Sequence, residues 1–197
     1  MLSNKEALLK KSVLLVSFAN LSYFFVEFLI ARHIEATSLF ADSVDFLEDA
    51  SINLLIFLAL HWTSTNKARL GKVLAIIVMI PAFAFLYTAW RKFYVPSVPD
   101  PSILSITGFG ALVVNVSCVC ILMQFRNYQG GLPRAAYLSA RNDALANIAI
   151  IFAGLISFIW YSLWPDLLVG FFIMAINLDA AKEIWQASES SDLEFKP

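Results

Sequence analysis

Apolar runs of about 20 residues follow one another along the whole chain with short polar links between them, and a helix needs that length to cross a hydrocarbon core of roughly 30 Å. Inside a bilayer each backbone N–H and C=O must find its partner within the protein, so such runs become helices, not open sheet. The pattern predicts six spans, over 12–31, 39–62, 72–93, 103–125, 136–160 and 165–186. The expected fold is all-α, a polytopic bundle of six transmembrane helices. Composition agrees, with 59% of residues hydrophobic, 15% charged and 17 Phe, which excludes an ordinary water-soluble domain. No basic-then-apolar opening ends in a small-residue cleavage site, so the N-terminus is expected to be retained.

The links carry the expected breakers: 33–38, 63–66, the proline-rich 96–101, 127–133 and 164–166. Residues 1–187 read as one transmembrane domain and 188–197 as a short polar cytoplasmic tail, with no soluble domain. With an even number of spans both termini share a side. That side collects Lys5, Lys10, Lys11, Lys67, Arg69, Lys72, Arg126, Arg134 and Lys182, against Arg32, Arg91 and Lys92 opposite. The termini are therefore expected in the cytoplasm, and the expected location is a bacterial inner (plasma) membrane. Trp62, Trp90, Trp160, Trp164 and Trp185 fall near span ends, where aromatic belts form. Pro81, inside the third span, predicts a kink or a non-helical turn.

Charges inside the spans carry the functional signal. Asp45 and Asp49, four residues apart in the second span, share one helix face. Asp42 joins that side one turn earlier, while Glu48 is offset by about 100° from Asp49. A charged side chain at membrane depth costs on the order of 2.5–3.5 kcal/mol by insertion scales, so it persists where it faces a partner, a cavity or an ion. Four carboxylates so close cannot all stay ionised alone; either a cation balances them or some hold protons. Asp143 in the fifth span adds a carboxylate, with Ser139 four residues before it on the same face and Asn142 and Asn147 nearby. Three carboxylates converging from two helices suggest a divalent-cation site at Asp45, Asp49 and Asp143, with the weaker ligand Ser139 or a water completing it, and both outcomes suit a cation–proton exchanger.

Other polar residues take blander roles. Asn20, Glu27, Asn53 and Asn115 fit as supporting partners or interhelical hydrogen bonders. Arg141 is expected at the cytoplasmic boundary or paired with an acid such as Glu48. His33 and His61 read as interfacial, and Cys118 and Cys120 as packing residues, with no disulfide or metal pair. Asp166 suits the positive end of a sixth helix. Asp179 and Lys182 can pair late in that helix. Net charge is −1, and no basic block suggests nucleic acid.

The run Asn20-Leu-Ser-Tyr-Phe-Phe-Val-Glu27 followed by Ser38-Leu-Phe-Ala-Asp-Ser-Val-Asp45-Phe-Leu-Glu-Asp49 resembles the first two helices of the cation diffusion facilitators. Their second helix carries a His or Asp, three residues, then Asp. Tyr137-Leu-Ser-Ala-Arg-Asn-Asp143-Ala-Leu-Ala-Asn147 is similar to their fifth helix, and Trp164-Pro-Asp-Leu-Leu-Val-Gly170 to the opening of their sixth. The resemblance implies proton-coupled export of Zn²⁺ or related ions by a homodimer with alternating access, with Asp45, Asp49 and Asp143 as ligands. Two departures stand out. Ser139 occupies a position where many members carry His or Asp, and the resemblance is expected to be to a shorter branch without the cytoplasmic domain that usually follows the sixth helix.

The expectation is thus a transporter, not an enzyme, that exports a divalent cation in exchange for protons and holds no permanent cofactor. Zinc comes first by resemblance, with Mn, Co, Cd or Fe as related cargo. An all-oxygen Asp-Asp-Ser-Asp set taken alone leans toward a harder ion such as Mn²⁺ or Mg²⁺. Two rivals remain at this point: an intramembrane aspartyl protease, since paired aspartates can activate water, and a metal-binding partner subunit of another transporter.

Overall fold

The computed structural model describes residues 4–59, 64–125, 131–176, 182, 185 and 186. Among the described residues six α-helices follow in order: α1 Asn4–Ile34, α2 Thr37–Ala59, α3 Ser64–Tyr94, α4 Pro101–Leu122, α5 Gly131–Ile159 and α6 Trp164–Ile176. A 3-10 turn, Met123–Phe125, extends α4. No strand occurs among the described residues. Among the described residues four helical stretches are long and apolar enough to cross a membrane: Ala7–Ile34, Ala75–Tyr94, Pro101–Phe125 and Ser139–Ile159. The 23 residues of α2 suffice in length, at 1.5 Å of rise each, but Asp42, Asp45, Glu48 and Asp49 set its chemistry apart. The described part of α6 has 13 residues and its apolar stretch, Trp164–Ala175, is shorter than a span.

The packing explains how α2 tolerates its acids. Every residue from Ala36 to Ser51 is buried, because α1, α3, α5 and α6 all pack against α2. The outer helices turn apolar side chains outward instead: Phe18, Phe25 and Leu29 on α1, Ile76, Phe83 and Trp90 on α3, Ile106 and Phe109 on α4, Phe152 on α5. Asn20, Glu27, Asp42, Asn53 and Asn147 are wholly buried. Polar groups inside and large hydrophobes outside invert the water-soluble arrangement, and this exterior suits hydrocarbon.

The helix ends follow from local chemistry. α1 runs to Ile34 and only Glu35 and Ala36 separate it from α2, a tighter link than the 33–38 connection the sequence suggests. Glu35 takes a left-handed conformation (φ 55°), and the Ala36 N–H bonds back to the Ala31 carbonyl at 3.0 Å, the long-range bond of a Schellman cap. The Glu35 carboxylate then meets Arg91 at 2.6 Å. Asp100 caps α4 by accepting from the Ile103 N–H at 2.9 Å, with Pro101 opening the helix. Pro81, expected to kink α3 or replace one of its turns, lies within a helix assigned without a break from Ser64 to Tyr94; the freed backbone acceptor leaves the helical run intact.

Asp166 does more than the dipole argument foresees. It sits in the first turn of α6, but its carboxylate reaches the start of α2. There it accepts from the backbone N–H groups of Thr37 (2.8 Å) and Ser38 (2.9 Å) and from both hydroxyls (2.6 Å each). Lys92 from α3 completes the cluster at 2.7 Å. The approach is close enough that a Cβ on Gly170 would stand 2.8 Å from the Thr37 carbonyl carbon and 2.9 Å from the Ser38 nitrogen. Backbone cannot step aside cheaply, so Gly170→Ala is expected to destabilise the fold by about 1–3 kcal/mol, read as a lower midpoint in thermal unfolding in detergent.

Candidate metal centre

Two helices running in opposite directions present matching polar series. On α2 four acids are buried, and Asp42, Asp45 and Asp49 share one face while Glu48 stands off it; on α5 the matching polar positions are Ser139, Asp143 and Asn147. Steps of three and four residues keep each series on one helix face. Because the helices are antiparallel, the series meet rung by rung. Asn147 Nδ2 donates to Asp42 Oδ2 at 2.5 Å, Asp45 and Asp143 line one cavity together, and Ser139 Oγ donates to Asp49 Oδ1 at 2.9 Å.

All four residues singled out as ligands are therefore brought together. The Asp49 and Asp143 carboxyls are also within hydrogen-bonding reach of each other, a contact that needs a shared proton or a cation between them. Asp45, Asp49 and Asp143 are 4%, 3% and 9% exposed, so none is solvated as a surface acid would be. Asp45, Ser139, Asn142 and Asp143 open onto a cavity of about 310 Å³ completed by Leu145, Ala146, Phe172 and Ile173 of α5 and α6. Asn142, Leu145 and Phe172 are exposed at its lip. This gives the acids a way to the outside.

No three His, Cys, Asp or Glu side chains among the described residues stand in a ready-made metal-holding geometry. The cluster is closed on itself, so a cation could enter only by displacing the Ser139–Asp49 hydrogen bond and the Asp49–Asp143 contact. Ser139 would then have to turn a lone pair inward in place of its proton, which a hydroxyl can do because it both donates and accepts.

The supporting residues sort differently from one another. Asn115 Nδ2 donates to Asn147 Oδ1 at 2.8 Å, which fixes the Asn147 amide so that its nitrogen faces Asp42. Asn53 donates to the Asp49 carbonyl one turn back, at 2.8 Å, and so steadies α2 without touching a carboxylate. Cys118 is buried with its sulfur 3.8 Å from Asn20 Oδ1, and Cys120 is exposed; both are free thiols. Arg141 is exposed and donates to the neighbouring Asn142 at 3.3 Å. His33 is exposed at the end of α1. His61, Trp62 and Asp179 lie outside the described residues.

Two features escaped the reading of single motifs. Asn147 and Asp42 form the third rung of the series, legible as the next residue at helical spacing on each helix. Glu27 from α1 lies within hydrogen-bonding reach of Asp42, a pairing between helices that spacing within one helix cannot reveal. No protein-family model matches the chain, and no curated protein matches it.

Proposed function

We propose that this chain is a six-span membrane transporter for a divalent metal cation, of the cation diffusion facilitator type, working as a cation–proton exchanger. The observation that carries the reading is the meeting of Asp45 and Asp49 from α2 with Asp143 and Ser139 from α5, deep in a bundle with an apolar exterior. Such a cluster is costly at membrane depth unless a cation or proton balances it. Two charge states follow, one loaded with the ion and one carrying protons in its place. Protonation removes ligand lone pairs, so taking up protons on the outer side releases the ion there.

In this reading α2, shielded by its neighbours, is the second of six spans, and α6 the last. Positive charge supports cytoplasmic termini: Arg91 and Lys92, two of the three cations assigned to the outer side, are engaged with Glu35 and Asp166. Zinc is the first candidate cargo, with Mn, Co, Cd or Fe as related ions, and the transporter acts as a homodimer in a bacterial inner membrane.

The test is flux. Purified protein in sealed vesicles should accumulate Zn²⁺ or Mn²⁺ when an opposing pH gradient is imposed and stop when the gradient is collapsed with a protonophore. Ion binding without flux would instead identify a non-transporting metal-binding subunit.

One observation favours a second reading. Asp49 and Asp143 pair across two helices, as the carboxyl dyad of an intramembrane aspartyl protease must. Against it stand Asp45, a third acid beside the dyad, and Ser139, whose hydroxyl already occupies Asp49 Oδ1. Cleavage of a model transmembrane peptide that Asp49→Asn abolishes would support the protease over the transporter.

A further inference from the structure

A second pair of carboxyls lies apart from the proposed cargo ligands. Glu27 of α1 and Asp42 of α2 are both wholly buried, and their carboxyl groups lie within hydrogen-bonding reach of each other. Among the described residues no hydrogen-bond donor reaches either oxygen of Glu27 or Oδ1 of Asp42. One candidate donor, the Tyr23 hydroxyl one turn away on α1, is turned to the Thr107 carbonyl at 2.6 Å and sits against Gly110. Asp42 Oδ2 has its donor, Asn147.

Two carboxylates cannot meet bare in such a place, because each would lack both water and a counter-charge. One proton resolves the problem: a carboxylic acid donates to a carboxylate, and every orphaned oxygen gains a partner or sheds its charge. The surrounding groups favour this solution. Asp45 on α2 lies near Glu27 and Asp143 on α5 near Asp42, both acidic, α4 contributes the neutral Asn115, and the charged groups of α3 and α6 at this end are already paired, Lys92 with Asp166 and Arg91 with Glu35. We propose that Glu27 and Asp42 form a dedicated one-proton site, distinct from the cargo ligands, that carries a transported proton across the exchange cycle.

The proton's coupling to the cargo follows from Asn147. It holds Asp42 from α5, the helix that also carries Asp143 and Ser139, one and two turns away. A shift of α5 against α2 as the cargo site opens or closes pulls Asn147 from Asp42 and changes the proton's environment in the same motion. The inference rests on the transport reading for this coupling, but the proton itself can be seen without flux.

Infrared difference spectra of the protein in lipid at neutral pH should contain a carboxylic-acid C=O band that vanishes in Glu27→Gln and again in Asp42→Asn. Both variants keep the side-chain shape, and either suffices if the other fails to fold. In vesicles Glu27→Gln should keep metal-induced stabilisation and still equilibrate the ion, yet lose acceleration by the pH gradient. A spectrum with no acid band sensitive to either residue overturns the site, as does a Glu27→Gln protein driven by the gradient as strongly as wild type. If wild type moves no ion while the band is present and sensitive, the transport reading falls and the proton site stands.

Discussion

Asp49→Ala is expected to abolish ion-driven flux and to weaken binding of the cargo ion at least about 100-fold, since losing a group that merely supports a ligand already costs 10–100-fold. The same variant should fold at least as well as wild type without metal. Without metal Asp49 lies against Asp143 only by virtue of a shared proton, with Ser139 donating to its other side, and removing one of the two buried acids removes the need to hold that proton. Thermal unfolding across a Zn²⁺ and Mn²⁺ titration separates the two effects. The ion-free midpoint should hold or rise while the ion-induced increase, which follows binding to the folded state alone, disappears. Asp143→Ala should behave alike. Ser139→Ala should cost far less, because a neutral hydroxyl contributes a weak ligand that water can replace. An Asp49→Ala protein that retains the full ion-induced shift would remove the metal centre from this cluster.

How much of this was legible in the chain depends on which period carries the information. Within one helix, Asp45 with Asp49 and Ser139 with Asp143 are visible as four-residue steps, and the structure sets them against each other. Apolar runs locate the helices equally well, because each must cover its own backbone whatever its neighbours do. Relations between helices are different. Glu27 meeting Asp42, and Asp166 reaching α2 rather than serving only its own helix, depend on which helices adjoin and at what height. Hydrophobic spacing says nothing about either. Nor does it reveal that α2, whose acids weaken its resemblance to an ordinary span, is protected by occupying the middle of the bundle. The left-handed turn at Glu35 was hidden for another reason: that conformation usually selects glycine or asparagine, and here a glutamate accepts it while its carboxylate pairs with Arg91.

The largest loss of stability is expected at Asp166, far from any cargo. Asp166→Ala removes the counter-ion of Lys92, which is 2% exposed, and strips both hydroxyls and both backbone N–H groups at the start of α2 of their acceptor. Breaking a buried ion pair from one side costs about 3–5 kcal/mol. The reverse change should be milder. Lys92→Met leaves Asp166 with four hydrogen bonds and the positive ends of two helices to hold its charge, whereas Lys92 without Asp166 keeps a buried ammonium that has lost its carboxylate acceptor. The order of unfolding midpoints in detergent should therefore be wild type, Lys92→Met, then Asp166→Ala, with the double variant Lys92→Met/Asp166→Ala above Asp166→Ala alone because it no longer buries the unpaired cation. Equal losses from the two single changes would mean that attraction between the charges, and not the capping of α2, holds this corner. That distinction bears on the polar series below it. Asp42 begins barely one turn after Ser38, so the bonds that fix the first residues of α2 also fix the height at which its acids meet Asn147, Asp143 and Ser139.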